Sequence, residues 1–197
     1  MKLYLYNSYK REKESFEPIR DGYVGLYTCG PTVYDYAHIG NFRTFIFEDL
    51  LKRWLIHLGY DVKHIMNITD VDDKTIKKAN DESVALNIIT DRYTSCFMED
   101  LKWLKMIPAD EFPRATDYID KMISMIQTLL DKNFAYKDND GSVYFDINSF
   151  QEYGCLTNLN IKGQKQAKRI NDDEYEKDSP QDFALWKGWK KEDGDIV

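Results

Sequence analysis

Apolar positions along this chain recur with two different periods. Leu-Tyr-Leu-Tyr at 3–6 and Tyr-Val-Gly-Leu-Tyr-Thr-Cys at 23–29 predict short strands, the second halted by Gly30-Pro31. From His38 to His57 the spacing changes: Phe42, Phe45, Ile46, Leu50, Trp54 and Leu55 recur at the helical period, and Gly59 closes the helix. Residues 61–68 return to a strand pattern. Strand, loop, helix and strand within about 45 residues make a βαβ unit, which requires parallel strands. Ligands of such sheets bind beyond the carboxyl ends of the strands. Cys29-Gly30-Pro31-Thr32 and Asn67-Ile68-Thr69-Asp70 are therefore expected on one edge.

Further along, helices are predicted at 71–80, at 83–105 ahead of Pro108, and at 116–132 after Pro113. The last carries Ile119, Met122, Ile123, Ile126 and Leu130 on one face. Residues 134–147 alternate around Asn139-Asp140-Gly141, a hairpin signal. The expected fold class is α/β: a Rossmann-like parallel sheet interrupted by a smaller α+β insertion. Residues 1–113 would form the first half of the nucleotide-binding domain and 114–181 the insertion. Residues 182–197 would return to the catalytic domain, with Phe183-Ala184-Leu185-Trp186 re-entering the main sheet. The sheet has too few strands to be finished, so the chain is expected to stop partway through a fold.

Composition narrows the function. Of 197 residues 43% are hydrophobic and 31% charged, the balance of a globular protein rather than a disordered one. Lys and Arg number 27 against 34 Asp and Glu, a net charge of −7, which excludes a compact basic protein held on nucleic acid mainly by phosphate neutralisation. No apolar run approaches the roughly 18 residues of a bilayer span. Met1-Lys2-Leu3-Tyr4 leads to Lys10-Arg11-Glu12-Lys13 without a signal-peptide core, so a cytoplasmic location is expected. Cys29, Cys96 and Cys155, odd in number and widely spaced, form no disulfide framework.

The candidate chemistry gathers at the strand ends. His38-Ile39-Gly40-Asn41 stands where a loop becomes a helix, and the unpaired N–H groups of a helix N-terminus attract phosphate. Gly40 leaves room for a nucleotide to approach the backbone, and His38 and Asn41 can donate hydrogen bonds to a polyphosphate. A short His-Ile-Gly string also arises by chance, so its neighbours decide its meaning. Asp70, Asp72 and Asp73 are read as helix-capping residues rather than a magnesium cluster, with Asp70 as the cap. Cys96 and Cys155 are read as packing residues, and His57 and His64 as packing or surface residues.

Those neighbours carry a resemblance. Tyr27-Thr28-Cys29-Gly30-Pro31-Thr32-Val33-Tyr34-Asp35 followed by His38-Ile39-Gly40-Asn41 resembles the nucleotide-binding segment of class I aminoacyl-tRNA synthetases. More narrowly, the chain is similar to the cysteinyl-tRNA synthetase family. That similarity runs on through Asn67–Lys74, Pro113–Thr116, Gly141–Asp146 and Pro180–Lys187, in order and over essentially the whole chain. One departure is Asn41, where the family motif ends in His. Asn also donates a hydrogen bond, so tuning rather than loss is expected.

The resemblance implies an ATP-dependent ligase that forms cysteinyl-adenylate from L-cysteine and ATP with Mg2+, then transfers cysteine to tRNA(Cys). His38 and Asn41 would be the catalytic groups, with Thr32, His38, Gly40 and Asn41 binding ATP and Gly30 and Thr69 lining the cysteine pocket. Cys29 would be one ligand of a single Zn2+ that takes the substrate thiol. The other ligands and the Lys-Met-Ser-Lys-Ser loop are expected past Val197. A thiol with a free pKa of about 8.5 gives up its proton to zinc and binds at about 2.3 Å, which a serine hydroxyl does far less readily. Lys162, Lys165, Lys168 and Arg169 are either a contact for the tRNA acceptor end or a solvated loop. A monomer is expected. Two other readings are the cysteine ligase of mycothiol synthesis, which shares the adenylation step, and a binding module without catalysis that leaves the missing ligands unneeded.

Overall fold

The computed structural model describes residues 2–156 and 182–193. They fall into two compact units, one holding 17–119 with 191–193, the other 2–16 with 120–156 and 182–190. The basic run at 162–169 lies outside the described residues.

The first unit is built on parallel strands. β3 (Tyr23–Thr28) pairs with β4 (Asp61–Met66), in register from Tyr23 opposite Asp61 to Thr28 opposite Met66. The connection between them is α1 (Ile39–His57), which completes the expected βαβ unit. A third extended segment, unread in the sequence, runs beside β4: Glu111 bridges Ile65 and Arg114 bridges Ile68, both parallel. Its signal is weak because it is short and Pro113 has no N–H to donate; the Glu111 and Pro113 carbonyls accept from Met66 and Ile68, and the Asp110 and Ala115 amides donate to the His64 and Ile68 carbonyls.

α2 (Asp73–Glu82) and α3 (Leu86–Trp103) follow β4 and pack with α1 on one core. Phe42 and Phe45 of α1 meet Phe97 of α3 with ring centroids 6.2 and 5.1 Å apart, above Met66 and Ile68. The apolar set read on α1 divides: Phe42, Phe45 and Leu55 are buried, whereas Ile46 and Leu50 are exposed. Lys52 is buried instead, its ammonium donating to the Pro108 carbonyl at 2.8 Å and meeting Asp110 at 3.3 Å.

The second unit contains an antiparallel sheet of β5 (Ala135–Lys137), β6 (Val143–Phe145) and β7 (Phe183–Trp186), in that order. The turn at 138–141 ends on Gly141 with φ +91, which accounts for the hairpin signal. Phe183–Trp186 does not re-enter the parallel sheet. It pairs with β6, where Phe145 and Phe183 stack at 5.2 Å and buried Asp182 accepts from Tyr136 Oη and the Ile147 amide. Aromatic stacking on β6 outweighs the pull of a sheet that the sequence placed further back. The chain rejoins the first unit only at Lys191–Asp193, next to α2, where Asn80 Nδ2 donates to the Asp193 carbonyl.

A helix and a hairpin also belong to this unit. α4 (Ile119–Asp131) forms where a helix was read, after a 3-10 turn at Ala115–Tyr118, but its Met122 and Ile123 are exposed. β1 (Tyr4–Asn7) pairs with β2 (Glu12–Ser15), a charged strand that no hydrophobic pattern announces.

Candidate nucleotide and amino-acid site

The parallel register brings the two strand ends together, as their pattern requires. The Thr69 amide donates to the Pro31 carbonyl at 3.0 Å and the Val33 amide to the Thr69 carbonyl at 3.1 Å, so Thr32 and Thr69 lie side by side. Gly30 makes this possible. A Cβ there would stand 1.8 Å from the Asn67 carbonyl oxygen. Asn67 holds the edge: its Oδ1 accepts from the Gly30 amide at 3.2 Å and from Tyr27 Oη at 3.0 Å, while its Nδ2 donates to Thr69 Oγ1 at 3.1 Å. Cys29, Gly30, Thr32 and Thr69 thus form one group, with the Cys29 thiol exposed.

His38, Gly40 and Asn41 form a second group at the start of α1. His38 is the N-cap: its Nδ1 accepts from the Gly40 amide at 3.0 Å, and Asn41 Oδ1 accepts from the His38 amide at 3.0 Å, a reciprocal capping box. With Nδ1 taken as acceptor, the proton of the neutral ring resides on Nε2, which is left as a donor. The Asn41 amide nitrogen likewise remains a donor. A Cβ at Gly40 would approach His38 Cε1 to 2.8 Å, so the ring would have to shift to admit one. The neighbouring imidazole lies against this face of Gly40.

The acidic run after Thr69 divides differently from its reading. Asp72, not Asp70, caps α2, accepting from the Lys74 amide at 2.9 Å, with Asp73 in the first turn. Asp70 is buried and turns the other way, accepting from the Thr116 amide at 3.0 Å and its hydroxyl at 2.6 Å. A carboxylate facing two donors on another element gains more than one at a solvent-exposed helix end.

Behind Cys29 lies a buried polar chain that was not read as one. Thr28 Oγ1 lies 2.9 Å from His64 Nε2, both side chains buried, with the half-buried Glu48 carboxylate beside Thr28. Burial pushes the Glu48 carboxyl up, while burial and then the Lys52 ammonium push the His64 imidazole down. The signal for His64 was the alternation of β4: it shares parity with buried Val62 and Met66.

Among the described residues no three of His, Cys, Asp and Glu are grouped to hold a metal ion. They do not make up a zinc site by themselves, and Cys29 offers a single thiol. Among them also, no helix is long and apolar enough to cross a membrane.

Parallel strand ends sewn together beside a capped helix N-terminus define an α/β domain of the βαβ type. The chain belongs to the family described as tRNA synthetases class I (C) catalytic domain, whose model matches residues 15–196. It is 53% identical over 197 residues to the cysteine–tRNA ligase of Chlamydia muridarum, covering 100% of this chain and 41% of that protein. It is 50% identical to that of Protochlamydia amoebophila, covering 98% and 41%. The chain therefore spans about two fifths of the length of these curated relatives. A solved structure described as a putative arginyl tRNA synthetase from Campylobacter jejuni shares the fold with a TM-score of 0.53 at 14% identity, over 70% of this chain and 40% of that one.

Proposed function

We propose that this chain is the N-terminal part of a cysteine–tRNA ligase acting in the cytoplasm as a monomer. The observation that carries the reading is identity of 53% with a cysteine–tRNA ligase along the entire chain, strand ends and helix start included. In the first step a cysteine carboxylate oxygen attacks the α-phosphorus of ATP; the new P–O bond forms as the bond to pyrophosphate breaks. The carboxylate is already ionised, so no general base is required. The adenylate's acyl carbon is then attacked by a terminal ribose hydroxyl of tRNA(Cys), and AMP leaves.

The residues supply positioning and charge stabilisation. His38 Nε2–H and the Asn41 amide donate to the phosphates of ATP, which enters with Mg2+, and Thr32 lies beside them. Gly30 and Thr69 line the cysteine pocket. Cys29 would supply one sulfur ligand to a zinc ion, the other ligands coming from outside the described residues. When bound, zinc supplies selection of a thiol over a hydroxyl, which an ordinary pocket achieves poorly. Residues 1–113 and 114–181 then serve as nucleotide-binding half and connecting insertion, with Phe183–Trp186 completing the insertion's sheet and the return beginning at Lys191.

The test is cysteine-dependent ATP–pyrophosphate exchange by a protein extended to the relatives' length, with serine as control and the 197 residues alone for comparison. Exchange with cysteine but not serine, confined to the longer protein, is the expected result. Exchange that ignores cysteine would overturn the reading. Exchange by the 197 residues alone would refute the account of Cys29. Transfer to an amino-sugar acceptor but not to tRNA would favour the mycothiol-type ligase.

A further inference from the structure

The hairpin of β1 and β2 separates its charges by face. Tyr4 stands opposite Ser15 and Tyr6 opposite Lys13, so these four side chains share one face; Leu5 opposite Glu14 and Asn7 opposite Glu12 share the other. Lys2 continues the alternation ahead of Tyr4 and is exposed. Both carboxylates thus fall away from the tyrosines, and Glu14 is further tied to Asn7 and Lys10. Tyr4 and Tyr6 are 57% and 60% exposed, more than core packing would leave them. In a chain of net charge −7, an aromatic face with lysines and no carboxylate at its paired positions is out of keeping with the whole.

We propose that this face binds an unpaired stretch of RNA, its tyrosines stacking on bases and Lys2 and Lys13 meeting the phosphates. Side chains two residues apart on a strand lie about 7 Å apart, twice the ~3.4 Å rise of stacked bases, so the pair spans the thickness of a base with a stacking distance on either side. Aromatic side chains interleaved with cations bind single strands with little regard to sequence. The proposal rests on the tRNA ligase reading for the identity of the RNA and extends that reading to a surface outside the strand-end site.

The experiment uses the enzyme at its relatives' full length. For the wild type, Tyr4→Ala/Tyr6→Ala, Tyr4→Phe/Tyr6→Phe and Lys2→Ala/Lys13→Ala, two reactions are measured: aminoacylation, for the tRNA KM, and tRNA-free pyrophosphate exchange, for the cysteine and ATP KM. The alanine pair should raise the tRNA KM about tenfold or more. The phenylalanine pair should leave it near wild type, and the lysine pair should flatten its dependence on salt. Exchange should be unchanged in all three variants. An unchanged tRNA KM in the alanine pair would overturn the proposal. So would a parallel loss of exchange and thermal stability, which would mean that the face packs against the rest of the enzyme. If the wild type shows no cysteine-dependent exchange, it is the ligase reading that fails. Filter binding of tRNA, competed by an unstructured oligoribonucleotide, still tests the hairpin: equal binding by wild type and the alanine pair would refute it.

Discussion

A methyl group at position 30 would have nowhere to go. Its carbon would meet the Asn67 carbonyl oxygen, a backbone atom between Met66 and Ile68, whose amides donate to the Glu111 and Pro113 carbonyls, so the neighbour cannot rotate away. Gly30→Ala should therefore cost roughly 3 kcal/mol or more, read as the loss in urea unfolding free energy. Gly25→Ala, with open space around its Cβ, is the control. The Glu48–Thr28–His64 chain makes a second prediction at this scale. Glu48 is raised from 4.5 by burial, so its contribution to stability is present below 4.5 and is lost as pH rises through the folded value. His64 is lowered from 6.5, so its contribution is present above 6.5 and is lost as pH falls through the folded value. Glu48→Gln keeps a neutral group at that position at every pH. It should gain over wild type as pH rises and lose the advantage towards pH 4.5, a trend that urea midpoints between those limits would show. A constant difference across that range would contradict this account.

Elements differ in how much of themselves they announce. The βαβ unit was legible because each part carries its own period and Gly30 and Gly59 punctuate it. The capping box was half legible: His38 and Asn41 were singled out as ligand donors, and the structure adds that they cap one another's helix start. Asn41→Ala removes one arm of that box and should cost about 0.5–2 kcal/mol of stability. By the proposed role it should also slow adenylate formation in single-turnover assays more than it shifts the melting temperature, whereas equal losses would mean that capping is its only work. The segment at 111–114 and strands β2 and β7 were not legible as what they are. Each is short; for the segment and for β7 the pairing is decided by a partner distant in sequence, β4 at a separation of 46 residues for the Glu111–Ile65 bridge and β6 for β7, whereas β2 pairs locally with β1 but, as Glu-Lys-Glu-Ser, has no apolar alternation to mark it. Asp70 was misread for the same reason, since its partner Thr116 belongs to another element.

For the molecule as a whole, the sequence blocks that carry the family resemblance sort into two kinds. Blocks 27–41 and 67–74 meet at the strand ends, while 141–146 and 182–187 pair with each other as β6 and β7 in the second unit. A strong resemblance at the latter pair therefore reports a shared sheet rather than shared chemistry. The metal reading has its own test at this scale. Cys29 and Cys155 are both exposed, so both should be alkylated readily in the metal-free protein. At the relatives' full length, bound zinc should slow alkylation of Cys29 and leave Cys155 unaffected, with a chelator restoring the original pattern by mass spectrometry. Protection of neither cysteine would remove Cys29 from the ligand set.

The His38 imidazole spends one nitrogen on its own backbone, at the Gly40 amide. The orientation of the other nitrogen is in this way set by the state of a single peptide hydrogen. Opening of the first turn swings the ring, and anything that grips the ring must close the turn. Occupancy at the outer nitrogen and protection of the Gly40 N–H against solvent exchange are thus two faces of one equilibrium, so deuterium uptake at that amide becomes a gauge of whether the ring is engaged.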